Sequence, residues 1–151
     1  TLVKQLVDLD TNPLMQWAIW AFLERGLLGP HLEELRTTYR TRRDLLAEAL
    51  RRELGETVRF TVPAGGLYLW CLLPDEVRVR DLLPEAARRG VAFAPGESFF
   101  VDPTAGRHWM RLNFTYPNPP AIVEGVRRLA QAITAVRETR TLARHAPAPI
   151  V

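Results

Sequence analysis

Apolar and polar positions repeat along the chain first with a helical period and then with a period of two, and the changes of period mark the elements. Asp10-Thr11-Asn12 supplies polar capping groups ahead of Pro13, which loses no needed N–H at a first helical position. Residues 14–23 are apolar almost all round, with Trp17, Trp20 and Phe22 on different faces, so the predicted helix needs cover on several sides. Gly26 suits a left-handed stop. From Gly29-Pro30 a second helix is expected to about Leu54, its stripe of Leu32, Leu35, Tyr39, Leu46, Leu50 and Leu54 stepping by threes, fours and one seven. Such a rod is roughly 37 Å long at ~1.5 Å per residue, long enough to connect or brace something.

Beyond Gly55, Val58, Phe60 and Val62 alternate with period two, Pro63-Ala64-Gly65-Gly66 reads as a turn, and residues 67–72 form a second extended run. The pair predicts a β-hairpin or two close strands. The second run is apolar at consecutive positions, which favours burial on both faces. Residues 81–89 predict a short helix with Leu82, Leu83, Ala86 and Ala87 inward and Gly90 as its stop, leading into a strand over residues 91–94. Pro95-Gly96 turns the chain, residues 102–108 form a polar loop, and residues 109–114 return as an aromatic-rich strand. Asn118-Pro119-Pro120 caps a last helix with the stripe Ile122, Val126, Leu129, Ile133 and Val136, and the tail from His145 is expected to fray. These elements predict an α/β chain of the α+β-like kind: a small domain with helices packed on a small, mostly antiparallel sheet. No internal repeat appears, and no linker is long enough to separate two domains.

The length of 151 residues fits one domain with a core that needs no disulfide staples. Cys71 is the single cysteine and lies in an apolar run, so a buried, inert thiol is expected. Of the 20 basic residues 19 are arginine, and the net charge is +3. The arginine pairs 42-43, 51-52, 88-89 and 127-128 are mostly accompanied by Asp or Glu nearby, which favours solvated helix faces over a nucleic-acid surface. No run approaches the ~20 apolar residues of a membrane span, and residues 1–4 do not resemble a signal peptide, so a soluble, cytoplasmic protein is expected.

Arg111 is the leading candidate for chemistry. It shares a strand face with Trp109 and Asn113, between apolar Met110 and Leu112, and a guanidinium planted mid-strand needs a partner. That partner is either an internal carboxylate, such as Glu97 or Asp102, or an anionic ligand whose carboxylate matches the planar fork. Gly65-Gly66 permits close approach of a ligand, although from spacing alone a tight turn between strands is the better reading. No phosphate loop is present, and His31, His108 and His145 are too scattered for a metal site. His108 either lines a site or sits on a loop surface. Ser98, the one serine, has no nucleophile context, and Lys4, the one lysine, sits in a leading helical stretch without a supporting motif.

The ordered motifs Thr11-Asn12-Pro13-Leu14-Met15-Gln16, Phe22-Leu23-Glu24-Arg25-Gly26, Pro63-Ala64-Gly65-Gly66-Leu67-Tyr68-Leu69-Trp70, Pro95-Gly96-x-x-Phe99 and Arg111-Leu112-Asn113-Phe114 resemble the C-terminal part of class I/II aminotransferases. They are most similar to the 2-aminoadipate-aminotransferase-like enzymes and to the aminotransferase domain of MocR-type, GntR-family regulators. The resemblance runs to about residue 138. It implies the fold type I architecture of pyridoxal phosphate (PLP) enzymes, with residues 1–29 in the interdomain region, 30–140 as the small C-terminal domain and 141–151 as a frayed tail. It also implies that Arg111 binds the substrate α-carboxylate, that Gly65 and Gly66 border the substrate pocket, and that Phe99 lies near its entrance.

In that family the lysine that binds PLP, the aspartate facing the pyridine nitrogen and most phosphate-binding groups lie upstream of the matching segment, and Lys4 does not match the lysine's context. The resemblance therefore implies PLP held mainly by an N-terminal part, an amino acid and a 2-oxo acid as substrates, a homodimeric full-length protein, no metal, and inactivity of these 151 residues alone. Two further readings stand beside the enzyme: an effector-sensing domain of a transcription regulator, with nucleic acid bound by a separate helix-turn-helix, and a folding module without binding of its own.

Overall fold

A computed structural model describes residues 12–145. Lys4 and the tail beyond His145 lie outside the described residues, and with them the leading helical stretch and the fraying tail. The chain divides into two compact units, with the boundary between Thr38 and Tyr39.

The first unit contains α1 (Pro13–Glu24) and the opening of α2 (Leu28–Leu54). The Asn12 side chain accepts from the Leu14 and Met15 amides at 3.0 and 3.3 Å, and Gly26 takes the left-handed φ of 67° that ends the helix. No residue of α1 is buried, and Trp17 and Trp20 remain 60% and 57% exposed. The α2 stripe divides likewise: Leu32 is exposed and Leu35 half-buried, while Leu46, Leu50 and Leu54 are buried.

The second unit holds the core. Strands β1 (Arg59–Phe60), β2 (Tyr68–Leu72), β3 (Ala94–Pro95) and β4 (Trp109–Asn113) form one sheet in the order β1-β2-β4-β3, antiparallel throughout. α3 (Val79–Arg88) packs against α4 (Pro119–His145). One sheet face offers Leu69, Cys71, Met110 and Leu112 to the same buried cluster as Leu46, Ala49 and Leu50 of α2, Val79, Leu82 and Ala86 of α3, and the whole predicted α4 stripe. Each fully buried Leu or Ile here contributes about 1.5–3 kcal/mol relative to exposure, so the sheet is held chiefly from its helix side.

Three expectations need correction. The strand placed at 91–94 reduces to Ala94–Pro95, because the sheet edge pairs only Ala94 with Arg111 and Pro95 with Met110 before the chain enters a 3-10 turn at Gly96–Phe99. Ala87 is exposed, since the buried stripe of α3 runs through Val79, Leu82 and Ala86 and Ala87 lies about 100° further round. The β2 run is not buried evenly on both faces: Leu69 and Cys71 are inside, Trp70 and Leu72 are half-buried, and Tyr68 is exposed. Among the described residues no helix is long and apolar enough to cross a membrane.

Candidate functional site

Alternation along β4 sends Met110 and Leu112 into the core and places Trp109, Arg111 and Asn113 on the opposite face. Register sets Trp70 against Arg111, Tyr68 against Asn113 and Leu72 against Trp109, so two aromatic residues of β2 flank the arginine on that face. The Arg111 Cζ lies over the Tyr68 ring, 4.0 Å from its centroid, and over the Phe99 ring at 4.2 Å. Behind them Trp70 stacks on Trp109 at 5.6 Å and meets Phe99 edge-on at 5.6 Å.

Phe99 reaches this face because the Gly96–Phe99 turn nests against the turn Pro103–Gly106. The approach is so close that a Cβ on Gly96 would stand 2.7 Å from the Gly106 carbonyl oxygen and 2.5 Å from the Trp109 Cβ. Only glycine fits there.

The internal ion pair weighed for Arg111 is not formed. Glu97 faces Arg80 at 4.0 Å, and Asp102 accepts from the Thr104 amide and hydroxyl at 2.9 and 2.8 Å. Those hydrogen bonds, helped by the charge of Arg107, hold the Asp102 carboxyl below its usual range. The Arg111 Nε is buried and has no hydrogen-bond partner among the described residues. Cation–π contacts use ring faces and spend no N–H, so the donors of the fork remain available. A buried N–H without an acceptor costs about 1–3 kcal/mol, and more when it is charged, and the arrangement therefore suits an anion with two oxygens arriving at the fork's edge.

The other candidates are placed as follows. Phe99 and Arg111 are brought together. Gly65 and Gly66 form the exposed turn ahead of Tyr68, Gly66 with φ 90°, and no atom lies within 4 Å of a Cβ built on either. Cys71 is on the core side, where burial pushes its thiol up to about 12. His108 is half-buried, with Nδ1 2.8 Å from the Val77 carbonyl oxygen, a contact that ties two loops together. His31 packs edge-on against Phe22 in the first unit. Among the described residues no group of three or more His, Cys, Asp or Glu side chains could hold a metal ion.

Sequence reasoning missed Tyr68 and Trp70, whose one signal was their shared parity with Leu72 in an apolar run. It also read Arg42 and Arg43 as a solvated pair. Both are half-buried, and each donates to a distant main-chain carbonyl, Arg42 to Thr115 and Arg43 to Pro63. The pair 127-128, by contrast, does lie on a solvated face, bound to Glu124.

No protein-family model matches the chain. Over 132 residues, 87% of the chain, it is 39% identical to aromatic-amino-acid aminotransferase 1 of Thermococcus litoralis and covers 31% of that protein. It is 36% identical to the 2-aminoadipate transaminase of Thermus thermophilus over 86% of the chain and 32% of that enzyme. The solved structure of LysN, the alpha-aminoadipate aminotransferase of Thermus thermophilus complexed with N-(5'-phosphopyridoxyl)-L-leucine, superposes with a TM-score of 0.83 at 34% identity, over 91% of this chain and 35% of that one. A weaker match, 27% identical over 85% of the chain, is the HTH-type transcriptional regulator YisV of Bacillus subtilis. The chain thus spans about a third of the length of the curated relatives it matches.

Proposed function

Because this chain belongs to the class I/II, fold type I aminotransferase family, matching the C-terminal third of its members, we propose that the protein containing it moves an amino group between an amino acid and a 2-oxo acid, and that Arg111 binds the α-carboxylate common to both. The observation that carries this is the Arg111 guanidinium, packed against Tyr68 and Phe99 with a buried Nε lacking an internal acceptor.

The described residues fit the substrate end of such a site better than the cofactor end. They include no lysine, and their glycine turn at 65–66 does not have the spacing of a phosphate loop. PLP, which the phosphopyridoxyl ligand of the Thermus relative supports as the cofactor, supplies when bound the electron sink for breaking a bond at the substrate Cα. This chain's own contribution is orientation. Two parallel N–H···O bonds from Arg111 fix both the position and the plane of a carboxylate, and hence the direction of its Cα substituents. The rings of Tyr68, Phe99 and Trp70 keep the surroundings of the fork apolar, which strengthens a charge pair formed there. Gly65 and Gly66 border the approach through the turn that precedes Tyr68.

Within the same proposal the full-length protein works in the cytoplasm as a homodimer, and the exposed apolar girth of α1 supports its being covered in the assembled protein. The YisV match supports a second reading, in which Arg111 senses an amino-acid-like effector for a regulator; about 70 residues of basic helix-turn-helix pattern ahead of the aminotransferase part would favour it. The test is an assay of the purified full-length protein with PLP, an amino donor and a 2-oxo acid. Turnover is expected there and none from the 151-residue chain alone; an inert full-length protein, or an active isolated chain, overturns the proposal.

A further inference from the structure

Two connections leave the sheet at the end where Tyr68 pairs with Asn113. One, starting at Pro63, carries Gly65 and Gly66 into Tyr68; the other continues β4 through Phe114 and Thr115. They are joined where the Phe114 amide donates to the Leu67 carbonyl at 3.4 Å. The second is wound around the Asn113 side chain, whose Oδ1 accepts from the Thr115 amide and hydroxyl at 2.8 and 3.0 Å and from the Tyr116 amide at 3.2 Å. Adjacent residues of α2 hold both. Arg43 Nη1 donates to the Pro63 carbonyl at 2.9 Å, and Arg42 Nη1 donates to the Thr115 carbonyl. The Arg43 side chain is only 19% exposed, and Asp44 steadies it from the far side at 2.7 Å.

These contacts make a continuous path from one helix to the proposed carboxylate reader. Arg43 reaches, through Pro63 and the glycine turn, to Tyr68, whose ring packs on the Arg111 guanidinium; Arg42 reaches, through Thr115, to Asn113, two residues along the strand from Arg111. A glycine turn with open space around it has little packing of its own, so an external hydrogen bond at its root decides how far Tyr68 wanders. Guanidinium donors suit this task, since their bonds to a carbonyl are charge-assisted and directional.

We propose that Arg42 and Arg43 are positioning residues that bind the connections at residues 63–68 and 113–116 to α2, and so keep the Tyr68 ring and Arg111 in the geometry that accepts a substrate carboxylate. This rests on the aminotransferase reading of Arg111.

The test uses the full-length protein with Arg42→Ala, Arg43→Ala, Arg43→Lys and, as reference, Arg111→Lys. Amide hydrogen exchange at residues 64–68 and 113–116 should quicken about tenfold in the alanine variants while α3 and α4 are unchanged. KM for amino acid and 2-oxo acid should rise about threefold to tenfold with kcat within about twofold, and Arg43→Lys, which can still donate to Pro63, should recover most of the loss. Arg42→Gln and Arg43→Gln replace any alanine variant that fails to fold and carry the same expectation. Unchanged exchange in both segments overturns the proposal, as does unchanged KM in these variants while Arg111→Lys raises it. Unchanged KM in Arg111→Lys as well shows that the carboxylate reading has failed, and the positioning role falls with it.

Discussion

Replacing Gly96 by alanine adds one methyl group at the point where two tight turns meet, and the structure sets the size of the response. The new Cβ would lie 2.5 Å from the Trp109 Cβ and 2.7 Å from the carbonyl oxygens of Gly106 and Trp109. Ordinary contact begins at 3.4 Å, so the deficit is about 0.9 Å. Two of the three obstructing atoms are backbone and the third is a Cβ, so no side-chain rotation relieves it. The turn must shift, taking Phe99 with it away from Arg111. Overpacking of this kind costs about 1–3 kcal/mol, or roughly 2–12 °C in Tm for a domain of this size. Gly125→Ala is the matched control. It lies inside α4 with nothing within 4 Å of its Cβ, and alanine there should gain up to about 1 kcal/mol of helix propensity. Thermal or urea unfolding of wild type and both variants reads the difference. Gly96→Ala as stable as wild type, or Gly125→Ala the worse of the two, would refute the close approach of the turns.

The remaining predictions concern the core and the surface. Cys71 should react with a thiol reagent at pH 8 only as fast as the domain opens, because it is fully buried and its thiol is pushed up to about 12; prompt labelling of the folded protein would contradict this. The same burial predicts an alkaline loss of stability. With the folded-state value raised from 9.0 to about 12, the contribution is intact below pH 9 and is lost as pH climbs to about 12, which urea unfolding across that range would register. Glu124 works in the opposite direction. Hydrogen bonds from Arg127 and Arg128 lower it to about 2, so its contribution is present above the ordinary value of 4.5 and disappears as pH falls toward 2. In Glu124→Gln the acid limb of the stability profile should be shallower, by a small amount because the site is exposed.

Much of this architecture could be read from local pattern. The Asn12-Pro13 start, the stops at Gly26 and Gly90, and the α4 stripe each depend on neighbours within a turn or two, and each forms as the pattern implies. Arg111 was legible for a related reason: a charge at mid-strand among apolar residues is conspicuous without any tertiary information. What escaped was long-range. Tyr68 acquires its place beside Arg111 only through the register of β2 on β4, which local alternation does not fix. Arg42 and Arg43 find their acceptors 73 and 20 residues away, while the nearby Asp44 made them look satisfied on a solvated face. The shortness of β3 has the same origin. Pro95 has no N–H to extend the ladder, and the closeness of Gly96 to Gly106, invisible in sequence, turns the chain away from the sheet edge.

The claim that Arg111 reads a carboxylate is tested most directly by measuring KM for an amino acid and its 2-oxo acid with wild type and Arg111→Lys in the full-length protein. Lysine keeps the charge but lacks the fork, so losing a charge-assisted pair of hydrogen bonds worth about 1.5–3 kcal/mol should raise KM for both substrates by roughly tenfold to a hundredfold. The corresponding amine without a carboxylate should be processed equally well or badly by the two proteins. Equal KM values for the carboxylate substrates in wild type and Arg111→Lys would contradict the account.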